Sequence, residues 1–261
     1  MKTYALLLIF ILSLNATIKA QETLKTTLRV LTFNILHGAN TTGDFDLDKI
    51  AQVIKKANPD LVALQEVDFK TNRAKQMDLT TELALRTKMT SLFARAMPYD
   101  GGEYGEGVLS RFSFLSTKNI PLPYTPDNEP KAAAEIKFIS NAGDTIIFIG
   151  THLDHLDAGL DRVQQAKKLN AVFTEDQVPK ILAGDLNDVP GSKTINILES
   201  KWGSSYQFTR LEATFPSKRP DLKLDYVMFY PKNRWKVIKT EVFQDSIASD
   251  HCAFLSILEL K

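Results

Sequence analysis

Three apolar, β-branched runs in this chain, Leu28 to Phe33, Leu61 to Leu64 and Ile181 to Ala183, each break off into polar residues. Short runs of this kind, bounded by polar residues or glycine, read as buried strands. Their exits are Thr32-Phe33-Asn34, Leu64-Gln65-Glu66-Val67-Asp68 and Gly184-Asp185-Leu186-Asn187. A fourth polar cluster, Ser249-Asp250-His251, lies close to the C-terminus. Converging strand ends carry sites, because a rigid sheet holds the loops there. Asn34, Glu66, Asp185, Asn187, Asp250 and His251, far apart in sequence, thus have a means of meeting at one sheet edge.

The rest of the chain alternates strand-like and helix-like segments. Asp46 can cap a helix whose apolar face is Ile50, Val53, Ile54 and Ala57, spaced i, i+3, i+4, i+7. Asn58-Pro59-Asp60 stops it. Asp78 to Met89 and Gly159 to Phe173 are also predicted helices, with a short one at Thr194–Leu198. Ser91 to Met97, Gly107 to Leu109, Leu224 to Phe229, Trp235 to Val242 and Ala253 to Leu258 read as further strands. Ala132 to Ile139 and Thr145 to Gly150, joined by Asn141-Ala142-Gly143-Asp144, read as a hairpin. Hairpins mixed with single helices favour an α/β fold of two sheets with outer helices over a purely parallel sheet.

Residues 1–20 have the pattern of a secretory signal peptide: Lys2, an apolar stretch from Tyr4 to Leu14, then a plausible cut at Ala20-Gln21. Ile18 departs from the small-residue rule at the cut, so a retained anchor is the alternative. Residues 21–261 then form one domain, exported to the periplasm or beyond. Removing Lys2 and Lys19 takes the formal charge from +1 to 30 − 31 = −1. A protein that binds long DNA usually carries a basic footprint, and none shows here in bulk. Nucleic acid is therefore a possible but disfavoured partner. The single Cys252 excludes an intrachain disulfide. No later stretch would span a membrane, and the chain is expected to act as a monomer.

Glu66 alone reads as an ordinary surface acid. With the other oxygen donors and no thiolate, it suits a hard cation such as Mg²⁺, with Mn²⁺ as a substitute. Asp185 and Asn187 share a face if the chain stays extended, where they could deprotonate and orient a water. Asn187 fits an Asx-rich turn before Val189-Pro190-Gly191 equally well. Asp225 interrupts an apolar strand and needs a partner, and pairing with His251 would satisfy both. A histidine held cationic by a carboxylate can stabilise phosphoryl charge or protonate a leaving oxygen. His152 is either a second such group or a structural histidine at a strand end.

Thr32-Phe33-Asn34, Leu64-Gln65-Glu66, Tyr104 with Leu109-Ser110-Arg111, Gly150-Thr151-His152, Gly184-Asp185-Leu186-Asn187, Leu224-Asp225-Tyr226 and Ser249-Asp250-His251 together resemble the ordered motifs of the endonuclease/exonuclease/phosphatase superfamily. The segment Thr71-Asn72-Arg73 resembles its compact exported bacterial branch. The resemblance implies a four-layer α/β sandwich, two mixed sheets packed face to face with helices outside, and Mg²⁺-dependent phosphoester hydrolysis. It implies Glu66, Asn34 and Asp250 at the metal, and Asp185 and Asn187 on the attacking water. His251 with Asp225, and His152, would act on the phosphate, with Tyr104 and Arg111 as phosphate contacts. Glu106-Gly107 departs from the Gly-Asn of many relatives, which removes an amide there. The expected activity is hydrolysis of a small or lipid phosphoester. An extracytoplasmic nuclease and a binding module with a dead site are the alternatives.

Overall fold

The computed structural model describes residues 25–207 and 212–261. The signal-peptide reading of residues 1–20 lies outside the described residues. Twelve strands form two mixed six-stranded sheets. The first has the order β11(Trp235–Phe243), β12(Ala253–Leu260), β1(Thr27–Asn34), β2(Leu61–Phe69), β4(Gly102–Ser110), β3(Thr90–Tyr99). The second has the order β5(Ser116–Pro121), β6(Ala132–Ile139), β7(Thr145–His152), β8(Lys180–Asp185), β10(Asp225–Tyr230), β9(Gly203–Ser204).

Strand alternation separates two cores. Val30, Leu61, Ala63 and Val108 face the second sheet and pack with Ile136, Phe148 and Ala183. Their neighbours Leu31, Val62, Leu64 and Leu109 face outward, onto helices α1(Leu47–Ala57) and α2(Leu79–Thr87). Beyond the second sheet lie α3(Leu160–Phe173) and α4(Lys193–Glu199), with Ala166, Leu169, Ile195 and Leu198 turned inward. The result is the expected α/β sandwich of two mixed sheets between helical layers.

The helices begin where their caps dictate. Asp46 accepts from Lys49 N–H and Asp78 from Thr81 N–H, satisfying amides that a helix start leaves unbonded. Asn58, in the left-handed conformation, ends α1. Strands β3 and β4 extend beyond their predicted limits to form a long hairpin. Among the described residues no helix is long and apolar enough to cross a membrane.

Candidate active site

Two parallel pairs set the geometry: β1 beside β2, and β7 beside β8. Asn34, His152 and Asp185 end β1, β7 and β8 at one edge of the sandwich, and Glu66 joins them from within β2. Antiparallel neighbours contribute from their beginnings. Asp225 opens β10 directly opposite Asp185 in register, and His251 lies just ahead of β12, separated from it by Cys252. The Ser249 hydroxyl donates to the Asn34 carbonyl at 2.7 Å, which ties the loop carrying His251 to the end of β1. Gly184 allows β8 to run this close to β7, since a Cβ there would meet the Thr151 carbonyl oxygen at 2.1 Å.

A pocket of about 470 Å³ opens at this edge. Glu66, Tyr104, His152, Asp185, Asn187, Asp250 and His251 all line it. Asp185 is the hub. Asn187 N–H donates to its Oδ1 at 2.9 Å and Asn34 Nδ2 approaches its Oδ2 at 3.3 Å. Nε2 of His152 and Nε2 of His251 each lie 3.6 Å from Oδ2. His251 turns its Nδ1 to Asp225 Oδ2 at 3.0 Å, and the ring of Phe215 lies against it at 4.8 Å between centroids.

The charges follow from these contacts. Burial pushes the Asp185 carboxyl above the ordinary range and Asp225 adds to this, opposed by His251 and the two asparagines. Burial alone would strip the proton from His251, but Asp225 and Asp185 outweigh it and raise the imidazolium to about 10. Glu66 is half-buried, which would raise it, yet the contacts with His37 and Asn34 and the Lys131 charge hold it down at about 2. His152 is kept neutral by burial, reinforced by the Lys131 charge. Burial raises Asp250, although His251 draws it down, with Glu66 adding repulsion.

Several expectations need correction. Arg111 is no phosphate contact. Its Nε donates to the Pro59 carbonyl at 2.8 Å and its Nη2 to Asn58 Oδ1 at 2.6 Å. It follows Ser110, which pairs with Leu61 at the start of β2, so it sits at the far end of the sheet. Asn34 faces Glu66 Oε1 with its amide nitrogen at 3.1 Å, while its Oδ1 accepts from Leu36 N–H. In this orientation its amide nitrogen is turned to the carboxylates of Glu66 and Asp185. Glu66 does not close β2. The strand continues to Phe69 through a bulge, with Leu64 opposite Gly107 and Val67 opposite Gly105. Asn187 is not extended from Asp185 but left-handed, with φ 50°, and reaches the pocket by that turn.

Other pocket residues were given no role at the site by the sequence. His37 Nδ1 lies 3.6 Å from Glu66 Oε2. Arg73 also lines the pocket, held by the buried Asp68 at 2.7 and 2.8 Å and packed on Tyr99. Glu129 and Lys131 complete one wall. The available signal for Lys131 was a lysine set directly against the apolar strand from Ala132.

Asp185, Asp225 and His251 each bring a ligand atom within 4.8 Å of the others. Binding a metal among them would require His251 to give up a proton that Asp225 and Asp185 hold on it. Glu66 and Asp250 are the better fit to a hard cation: both are pocket-facing oxygen donors, and Glu66 stays ionised.

The profile of the Endonuclease/Exonuclease/phosphatase family matches residues 31–251. The chain belongs to this family. No curated protein sequence matches it. Among solved structures it is similar to an endonuclease/exonuclease/phosphatase from Beutenbergia cavernae, at 23% identity and TM-score 0.72, covering 90% of this chain and 72% of that one. A family protein from Bacteroides thetaiotaomicron gives 20% identity and TM-score 0.75, over 91% of this chain and 99% of that one. A mannosyl-6-phosphatase from the same species gives 20% and 0.70, over 88% and 99%. At such identities the likeness shows a shared fold. Endonuclease/exonuclease/phosphatase enzymes are phosphoester hydrolases that generally use divalent metals, and the acid–histidine cluster here is of a kind that could bind one.

Proposed function

We propose that this protein is an exported, Mg²⁺- or Mn²⁺-dependent hydrolase of a small or lipid phosphoester, acting as a single chain. The observation that carries the reading is the line His152–Asp185–His251 on the wall of one pocket, with Asp225 buried behind His251 and Glu66 beside it. Export rests on the pattern of residues 1–20. The choice of a small substrate is supported by the modest pocket and by the cations at it, each of which is matched by an acid.

Asp185 is the base. Its raised affinity for a proton lets it accept one from water close to neutral pH. Asn187 and Asn34 fix the orientation of its two oxygens. His251, kept charged by Asp225, presents Nε2–H to the phosphoryl oxygens, and a fixed donor in a buried site stabilises developing charge strongly. As the water oxygen bonds to phosphorus, the bond to the leaving oxygen breaks in line. Glu66 and Asp250 would hold the metal, whose chemistry when bound is to neutralise phosphoryl charge as a Lewis acid.

Purified protein should be assayed with Mg²⁺ against aryl phosphates, sugar phosphates, inositol phosphates, sphingomyelin and nucleic acids. Turnover of small or lipid esters that stops in excess EDTA and in Asp185→Asn is expected. Full activity in EDTA, or none on any phosphoester, would refute the proposal.

A further inference from the structure

Lys131 plays no part in the hydrolysis outlined above, yet it is among the most buried cations at the pocket, with 1% side-chain exposure. Taking an ammonium out of water costs several kcal/mol, in order of magnitude, unless its protons are bonded. It has three to place. Glu129 Oε1 accepts one at 2.6 Å. Nζ also lies 3.4 Å from His152 Nδ1 and 5.8 Å from the centre of the Tyr104 ring.

Asn187 decides the nature of the contact with His152. Its Nδ2 donates to the Leu153 carbonyl at 2.9 Å and stands 2.9 Å from His152 Nε2. The carbonyl can only accept, so the nitrogen is fixed on that side. Its second hydrogen then points at Nε2, which must accept it. A neutral imidazole that accepts at Nε2 carries its proton on Nδ1. Nδ1–H and the Lys131 ammonium are therefore two donors facing one another. Among the described residues no acceptor joins them. An oxygen about 2.9 Å from each would fit a hydrogen bond to both. Both residues line the pocket that also holds Asp185 and His251.

We propose that Lys131 is a further catalytic residue, which together with the Nδ1–H of His152 grips one non-bridging oxygen of the phosphoryl group. The assignment rests on the phosphoester-hydrolase reading of the site. It gives the phosphoryl group two donors in addition to His251. It also gives His152 a role at Nδ1 while Nε2 remains with Asn187.

Inorganic phosphate is the probe, titrated into the full chain with Mg²⁺ by calorimetry. A parallel ¹⁵N spectrum follows the His152 ring, assigned by comparison with His152→Gln. In the wild type, phosphate should move the Nδ1 resonance. Lys131→Met should bind phosphate about tenfold or more weakly, as expected for a lost charge-assisted hydrogen bond. Lys131→Arg should retain part of the affinity. Melting curves establish that the variants fold. Should Lys131→Met fail to fold, the wild-type Nδ1 response decides. An unmoved Nδ1 resonance, or unchanged phosphate affinity in folded Lys131→Met, overturns the assignment. Lys131-dependent phosphate binding without turnover of any ester would instead overturn the hydrolase reading and leave this site standing.

Discussion

At the scale of single residues, the decisive pair is His251 and Asp225. Their 3.0 Å contact is buried on both sides. The hydrogen bond fixes the ring, so that Nε2 faces Asp185 and the pocket. Removing either residue should cost on the order of 10²-fold in rate. Because Asp225 acts through His251, the double variant should be little slower than His251→Ala alone. Multiplying losses in a double-mutant cycle would contradict this. The same pair sets the pH dependence. Activity should rise as Asp185 ionises, above the ordinary carboxylate range, and fall as His251 loses its proton near 10. Asp225 raises the His251 value, so Asp225→Asn should draw the alkaline limb to lower pH, which a pH–rate profile will read. Stability follows the same sign. The raised folded value means the pair's contribution is complete below the ordinary histidine value near 6.5 and disappears as pH climbs toward about 10.

At the scale of elements, the bulge in β2 and the close approach of β8 to β7 place the carboxylates. Glu66 sits in the bulge with φ 57°, a left-handed conformation that costs a non-glycine residue roughly 1–2 kcal/mol. Bulges re-aim side chains at sites, and this one brings the carboxylate within reach of Asn34 and His37. Glu66→Gly and Glu66→Ala should both be inactive. Glu66→Gly should be the more stable of the two by about 1 kcal/mol, measured by denaturant unfolding. The reverse order would mean the bulge relaxes when the side chain is lost. Gly184 is the opposite case. A methyl there meets backbone, which cannot swing aside as a side chain can. Gly184→Ala should cost about 1–3 kcal/mol or more and displace Asp185, so that melting temperature and kcat fall together. The sequence shows the strand exits carrying Asn34, Asp185 and His152 because buried runs and their polar ends are local patterns. Asp225 and His251 were legible for a different reason: a charge in an apolar strand demands a partner. The bulge at Glu66 was not legible, because it depends on the register with β4, a non-local fact. Arg111 failed for a related reason. It lies seven residues beyond Tyr104 along an extended strand, about 23 Å away, so one strand cannot bring both to the same pocket. Lys131 and His37 escaped because their burial is set by neighbours distant in sequence.

At the scale of the whole molecule, charge pairing at the pocket argues about substrate size. Long duplex DNA is held by cations free to meet successive phosphates, and each phosphate neutralised contributes about −0.9 to the log–log salt slope. Here Arg73 is committed to Asp68 and Arg95 to Glu103, while Arg111 is turned to the backbone at the opposite end of the sheet. The whole chain carries a formal charge of only +1. Cations so committed offer few unpaired contacts to a duplex near the pocket, whereas the pocket can still surround a single phosphoryl group with His251, His152 and Lys131. Plasmid cleavage should therefore be weak or absent at low salt, with little change between about 50 and 200 mM salt, and turnover of a small or lipid phosphoester should exceed it. Efficient plasmid cleavage that collapses over the same salt range would show that exposed lysines outside the pocket gather into a track for the backbone, and would move the substrate assignment to nucleic acid.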